Sequence, residues 1–98
     1  MPYKVIFFDE ANVNVKEAKA WYKSQRNGLQ TIFANSVKQA IIRMKANPEA
    51  FAVRYKNIRI IHPYKFPFSI HFYIDKDKGQ IVITNILHDY RDIKNLKE

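Results

Sequence analysis

The hydrophobic rhythm of this chain changes at Asn47-Pro48, and that change constrains the fold more than any other feature. Before it, Leu29, Ile32, Phe33, Val37, Ala40, Ile41 and Met44 recur at the 3.6-residue spacing that gathers apolar side chains on one face of an α-helix. Proline ends such a helix, because it disfavours helical geometry in the residue before it and has no amide hydrogen to donate. After it the period is two. Phe68, Ile70, Phe72 and Ile74 alternate with Ser69, His71 and Tyr73, the pattern of a strand with one face in a core.

The remaining segments follow the same logic. Residues 3–8, YKVIFF, are β-branched and aromatic and stop at Asp9-Glu10, so they read as a first strand running into a helix with Asp9 as its N-cap. Ala11, Val15, Ala18 and Tyr22 then predict an amphipathic helix over residues 10–25, with Trp21 widening its apolar stripe and Gly28 closing it as C′. Val53-Arg54-Tyr55 and Ile58-Arg59-Ile60-Ile61 read as a short strand or as a strand with a turn at Lys56-Asn57. The turn DKDKG, residues 75–79, leads into IVITNIL, residues 81–87, as the partner strand of a hairpin. A helical tail over residues 93–96 closes the chain. The expected fold is α+β in the order β-α-α-β-β-β, a helical hairpin packed on a mostly antiparallel twisted sheet. With neither repeats nor a linker, residues 1–98 make one domain.

Charge bounds the partners. Seventeen Lys and Arg against nine Asp and Glu give a formal charge of +8, a field that attracts polyanions or an acidic protein. The lack of cysteine excludes a disulfide framework, a thiolate zinc site and a cysteine nucleophile. No apolar run reaches the roughly 18–20 residues that a membrane span needs, and the first ten residues are too weakly apolar for a signal peptide. The expected compartment is therefore the cytoplasm. With only Gly28 and Gly79 there is no glycine-rich phosphate loop, and His62, His71 and His88 lack metal-ligand spacing, so neither cofactor nor metal is expected.

The chemistry-bearing residues fall in the β half: Arg54, Lys56, Arg59, His62, Lys65, His71, Tyr73, His88, Tyr90 and Arg91. Alternation puts Ser69, His71 and Tyr73 opposite the core stripe, on a face expected to be polar, cationic and aromatic. Such a surface suits RNA or single strands, since cations neutralise phosphates and aromatic rings stack bases. RNA cleavage would need a base for the 2′-hydroxyl, an acid for the leaving oxygen and cations for the phosphorane. His88 and Tyr90 fit the first two roles, and Arg91 or Lys65 the third. Packing and strand-end hydrogen bonding explain the same residues without any reaction.

In their order, Trp21-Tyr22, Gly28-Leu29 with Ile32-Phe33, Asn47-Pro48-Glu49, the strand Phe66-Pro67-Phe68-Ser69-Ile70 and Leu87-His88 with Arg91-Asp92 resemble the RelE/ParE toxins of type II toxin–antitoxin systems. The resemblance spans almost the whole chain. It implies the β-α-α-β-β-β fold and a cognate antitoxin whose C-terminal segment, often acidic, covers the toxin. That family contains ribosome-dependent mRNA endonucleases as well as ParE-like poisons of DNA gyrase. RelE-like nucleases commonly carry an arginine where this chain has Ser69, while the Trp21-Tyr22 helix and the Phe66-Pro67-Phe68 strand resemble the ParE, plasmid-stabilisation side. The resemblance therefore implies a gyrase-binding toxin, with Arg54, Lys56, Arg59, Lys65, His71, Tyr73, His88 and Arg91 as its recognition surface. The rivals are an mRNA endonuclease acting at the ribosome through His88, Tyr90 and Arg91, and an inactive member that only binds partners.

Overall fold

The computed structural model describes residues 3–90. Strand β1 (Lys4–Phe7) leads into helix α1 (Asp9–Gln25), which turns at residues 26–28 into helix α2 (Leu29–Ala46). A short 3-10 helix at Pro48–Ala50 follows, then strands β2 (Val53–Tyr55), β3 (Ile58–Ile61), β4 (Phe68–Asp75) and β5 (Gln80–His88). They form one five-stranded sheet in the order β1-β5-β4-β3-β2, antiparallel except for β1 beside β5. The architecture is the expected α+β one, with the segment after Phe51 resolved into two strands around Lys56-Asn57. Lys56 takes a positive φ of 49° there, as a two-residue hairpin turn requires. The expected tail at residues 93–96 lies outside the described residues.

Two residues at helix ends take roles other than those expected. Asp9 is already the first helical residue and Phe8 is the N-cap, with no side chain accepting a hydrogen bond there. Asp9 and Glu10 instead place two carboxylates in the first turn, against the positive end of the helix dipole. Gly28, expected to close α1, caps α2. Its φ of 98° is open to glycine at no steric cost, and its carbonyl accepts from the N–H of Thr31 at 3.1 Å. No helix among the described residues is long and apolar enough to cross a membrane.

The core lies between the helices and one face of the sheet. Ala11, Ala18 and Tyr22 from α1 and Phe33, Val37, Ala40 and Met44 from α2 pack on Ile61, Phe68, Ile70, Phe72, Ile81, Ile83 and Ile86. Its aromatic centre is Phe33, whose ring lies 4.9–5.2 Å from those of Tyr22, Phe66 and Phe68. Trp21 is not part of this core: it stays 45% exposed, edge-on to Tyr22. The buried stripe on α1 is narrower than its sequence suggests, being confined to Ala11, Ala18 and Tyr22.

A bulge in β5 sets which residues share a face. Pairing with β4 runs from Gln80 to Ile83 and resumes at Asn85, so Thr84 is extra. The insertion shifts the period by one, and Ile81, Ile83 and Ile86 all reach the core despite their uneven spacing. Beyond the end of β1, the Ile86 N–H donates to Asn14 Oδ1 on α1 at 3.0 Å, so that α1 stands in for the missing strand.

Candidate functional site

The expected site residues fall in several places. At the end of the sheet, Phe68 pairs with His88, which puts the imidazole on the helix side against the Phe68 ring at 5.1 Å. The Tyr90 N–H donates to His88 Nδ1 at 3.1 Å, and the two rings lie 5.8 Å apart. Tyr90 is 77% exposed. Arg91, the third member of that expected group, lies outside the described residues.

On the other side of the same strand ends, hydrogen bonds tie three polar side chains together. His62 Nδ1 donates to the Phe68 carbonyl at 3.0 Å and lies 3.3 Å from Ser69 Oγ, which donates to Asp89 Oδ1 at 2.5 Å. The Asp89 N–H donates to the Pro67 carbonyl at 2.7 Å, which continues the ladder by one residue. The Ser69 hydroxyl is committed to Asp89. A serine-carboxylate pair at adjacent strand ends was not visible in the sequence, where residues 69 and 89 are 20 positions apart.

His71 departs furthest from expectation. It points away from the helices, as alternation requires, yet it is completely buried. The cause is local: pairing sets the apolar Ile60, Val82 and Leu87 beside His71, Tyr73 and Ser69, and Tyr55 from β2 meets His71 Nδ1 through its hydroxyl at 2.8 Å. That face is therefore more apolar and more closed than the cationic surface expected. Burial holds the His71 imidazole below the ordinary histidine range, with the Asp89 carboxylate opposing and His62 reinforcing the shift. Burial also raises the Tyr55 phenol, so it keeps its proton while its hydroxyl and Nδ1 share a hydrogen bond. Among the described residues, His71 Nε2 has no hydrogen-bond partner.

This arrangement fixes a pH dependence. The unfolded chain binds a proton at His71 near the ordinary pKa of about 6.5, whereas the folded chain does so only at lower pH. The stabilisation is fully present above that ordinary value and is lost as pH falls through the lowered folded one. The thermal midpoint should therefore fall between about pH 7.5 and about pH 5, and by less in His71→Gln. Equal slopes for the two proteins would assign the acid sensitivity to carboxylates.

The cations are dispersed. Arg54 and Lys56 are exposed on β2 and its turn. Arg59 pairs with Phe72 and so lies on the helix side, where its guanidinium donates to the Phe51 carbonyl at 2.6 Å and reaches that of Glu49 at 3.4 Å. It holds the end of the 3-10 helix, a role set by pairing register that its sequence neighbours do not reveal. Tyr73 is half-buried edge-on to Phe8 at 6.5 Å. Lys65 sits in the loop over α2 with a φ of 73°.

One open feature was not expected from the sequence. Val5 and Phe7 of β1, Val15 of α1 and Val37, Ile41 and Ile42 of α2 line a groove of about 710 Å³, bordered by Lys16 and Lys19 on one helix and Lys38 and Lys45 on the other. Phe7 and Ile42 are 36% and 52% exposed, so this apolar floor is open to solvent. The signal was present in the sequence: lysines flank both apolar stripes. Among the described residues, no group of three or more His, Asp or Glu side chains is placed to hold a metal ion.

No protein-family model and no curated protein matches the chain. Solved structures do. The chromosomal ParDE toxin–antitoxin system of P. aeruginosa superposes with a TM-score of 0.73 at 14% identity, over 89% of this chain and 96% of the other. The chain has the RelE/ParE toxin fold. The intact RelBE toxin–antitoxin complex of E. coli gives 0.65 at 13% identity over 86% of this chain and 93% of the other. The RelBE2 complex of Mycobacterium tuberculosis gives 0.63 at 16% identity over 90% and 99%. ParE-type and RelE-type structures both superpose over most of this chain, so the fold does not distinguish the two types.

Proposed function

We propose that this protein is the toxin of a type II toxin–antitoxin pair, held inactive by a cognate antitoxin, and that it acts ParE-like by binding DNA gyrase rather than by cutting RNA. The observation that carries the toxin reading is the near full-length likeness of its fold to toxin–antitoxin complexes. The lysine-bordered groove supports an antitoxin partner, because its apolar floor suits a hydrophobic stripe and its rim suits carboxylates beside that stripe.

Binding is favoured over cleavage by what the β-face groups already do. Arg59 is spent on the Phe51 and Glu49 carbonyls, Ser69 is bonded to Asp89, and His71 is buried against Tyr55. None of these is presented to a scissile phosphate. The exposed Arg54, Lys56, Lys65 and Tyr90, with Arg91, then serve recognition. One observation favours the nuclease instead: His88 and Tyr90 stand together at the strand end, where an acid and a base would be wanted.

Induced expression without antitoxin separates the readings. Growth arrest with broken DNA, intact mRNA and trapped gyrase–DNA complexes is the expected result. Arrest with mRNA cut on ribosomes, relieved in Tyr90→Phe, would overturn the gyrase reading in favour of the nuclease. Unimpaired growth would overturn the toxin reading itself.

A further inference from the structure

A second, smaller pocket lies away from both the groove and the strand ends. Residues 62–67, the link between β3 and β4, cross α2, and two contacts hold them there: Ser36 Oγ donates to the Tyr64 carbonyl, and an Arg43 guanidinium nitrogen donates to the His62 carbonyl at 3.2 Å. The Arg43 guanidinium also stacks on the Tyr64 ring, 4.0 Å from its centre. Toward the N-terminus of α2, Ile32, Asn35, Ser36 and Gln39 line an open pocket of about 230 Å³ that Tyr64 and Lys65 complete.

The chemistry of that lining is specific. Tyr64 is 62% exposed while the Arg43 guanidinium stacks on its ring, so an aromatic surface with one backing contact faces solvent. Such a ring pays little entropy on stacking, and base stacking on an aromatic side chain tolerates any base. Asn35 and Gln39 are one helical turn apart and point their amides along the same face. Each carries both a donor and an acceptor, the pairing that reads an adenine edge. Lys65 is exposed beside the ring in a left-handed conformation that a side-chain-bearing residue adopts at a cost, and it supplies the cation that a phosphate needs.

We infer that this pocket binds an unpaired nucleotide of a nucleic-acid strand, with the base on Tyr64, its edge at Asn35 and Gln39, and its phosphate at Lys65. The net charge of +8 brings such a strand to the surface, and the pocket gives it one defined place to rest. The site shares no residue with the groove or with the His88-Tyr90 pair; Lys65 is common to it and to the proposed recognition surface, while Tyr64, Asn35 and Gln39 belong to it alone.

The test is fluorescence anisotropy of the full chain, made by cell-free translation, with labelled eight-nucleotide oligoadenylates of RNA and of DNA at fixed salt. Wild type and Tyr64→Phe should bind alike, while Tyr64→Leu and Gln39→Ala should each weaken binding by roughly tenfold, the size expected for a lost stacked base. Lys78→Ala, in the turn between β4 and β5, should change little. The strand bound more tightly identifies the source, and equal binding assigns the site to chemistry that RNA and DNA share. Wild-type affinity in both Tyr64→Leu and Gln39→Ala would overturn the proposal. Equal losses in Lys78→Ala and Tyr64→Leu would also overturn it, by showing diffuse charge attraction. Gln39 lies on the exposed face of α2, so its variant keeps the test decisive even if Tyr64→Leu loosens the loop.

Discussion

Replacing Phe33 by alanine should destabilise the fold by about 3–5 kcal/mol, the cost of truncating a fully buried aromatic residue, whereas Trp21→Ala should cost about 1 kcal/mol. The two residues look alike in sequence, each large, aromatic and within an apolar helical pattern. Phe33 is completely buried and its ring is in contact with three others from α1, β4 and the loop before β4. Removing it opens a cavity where helices meet sheet, and surrounding rings cannot collapse into it without giving up their own edge contacts. Truncating Trp21 opens no closed cavity, since almost half of its surface already meets water. Against a total stability of about 5–15 kcal/mol for a domain of this size, the first change brings the protein near unfolding and the second does not. Urea unfolding followed by circular dichroism measures both. Equal costs would show that the aromatic cluster around Phe33 is not what joins helices to sheet.

The parts of this fold legible in the sequence are those where one local rule acts alone. The helix of Leu29 to Met44 shows a clean period and ends at Pro48, and the structure ends it at Ala46. The alternation from Phe68 to Ile74 correctly separates core from far face. Rules that depend on a partner strand were hidden. The bulge at Thr84 explains why Ile83 and Ile86 share a face, but nothing in IVITNIL announces that Asn85 skips back to meet His71. Arg59 likewise reads as a free cation until its pairing with Phe72 turns it toward the 3-10 helix.

The candidate site was legible as a set of residue types and not as a place. Polarity marks Ser69 and His71 as surface residues, but polarity does not measure what neighbouring strands lay over them. Tyr55 and the apolar Ile60, Val82 and Leu87 close that face, and His71 is buried as a result. Conversely, lysines on α1 and α2 read as ordinary solvated positions, because each helix seen alone has a polar face. Only when α1 packs beside α2 over the edge strand β1 do Lys16, Lys19, Lys38 and Lys45 become the banks of one channel.

That channel supports the second large prediction. If a cognate antitoxin lays an apolar stripe flanked by carboxylates there, Lys16→Glu combined with Lys38→Glu should weaken the complex by roughly a hundredfold or more, since each change replaces an attraction with a repulsion at the rim. Ile42→Arg should weaken it by a different route, placing a charge on the apolar floor without reversing the rim. Salt distinguishes the two. Raising ionic strength screens exposed charge, so the penalty of the paired glutamates should shrink with salt, while the Ile42→Arg penalty should persist because it comes from a blocked and desolvated floor. All three positions are open to solvent, so the isolated toxin should keep its fold and unfolding midpoint. The measurement is calorimetric titration of each variant with the antitoxin, paired with rescue of growth on co-expression. Undiminished affinity in both variants would move the antitoxin elsewhere on the toxin and leave the groove without a role in neutralisation. A loss confined to the glutamate pair would reduce the groove to a source of electrostatic steering, with the apolar stripe seated on another face.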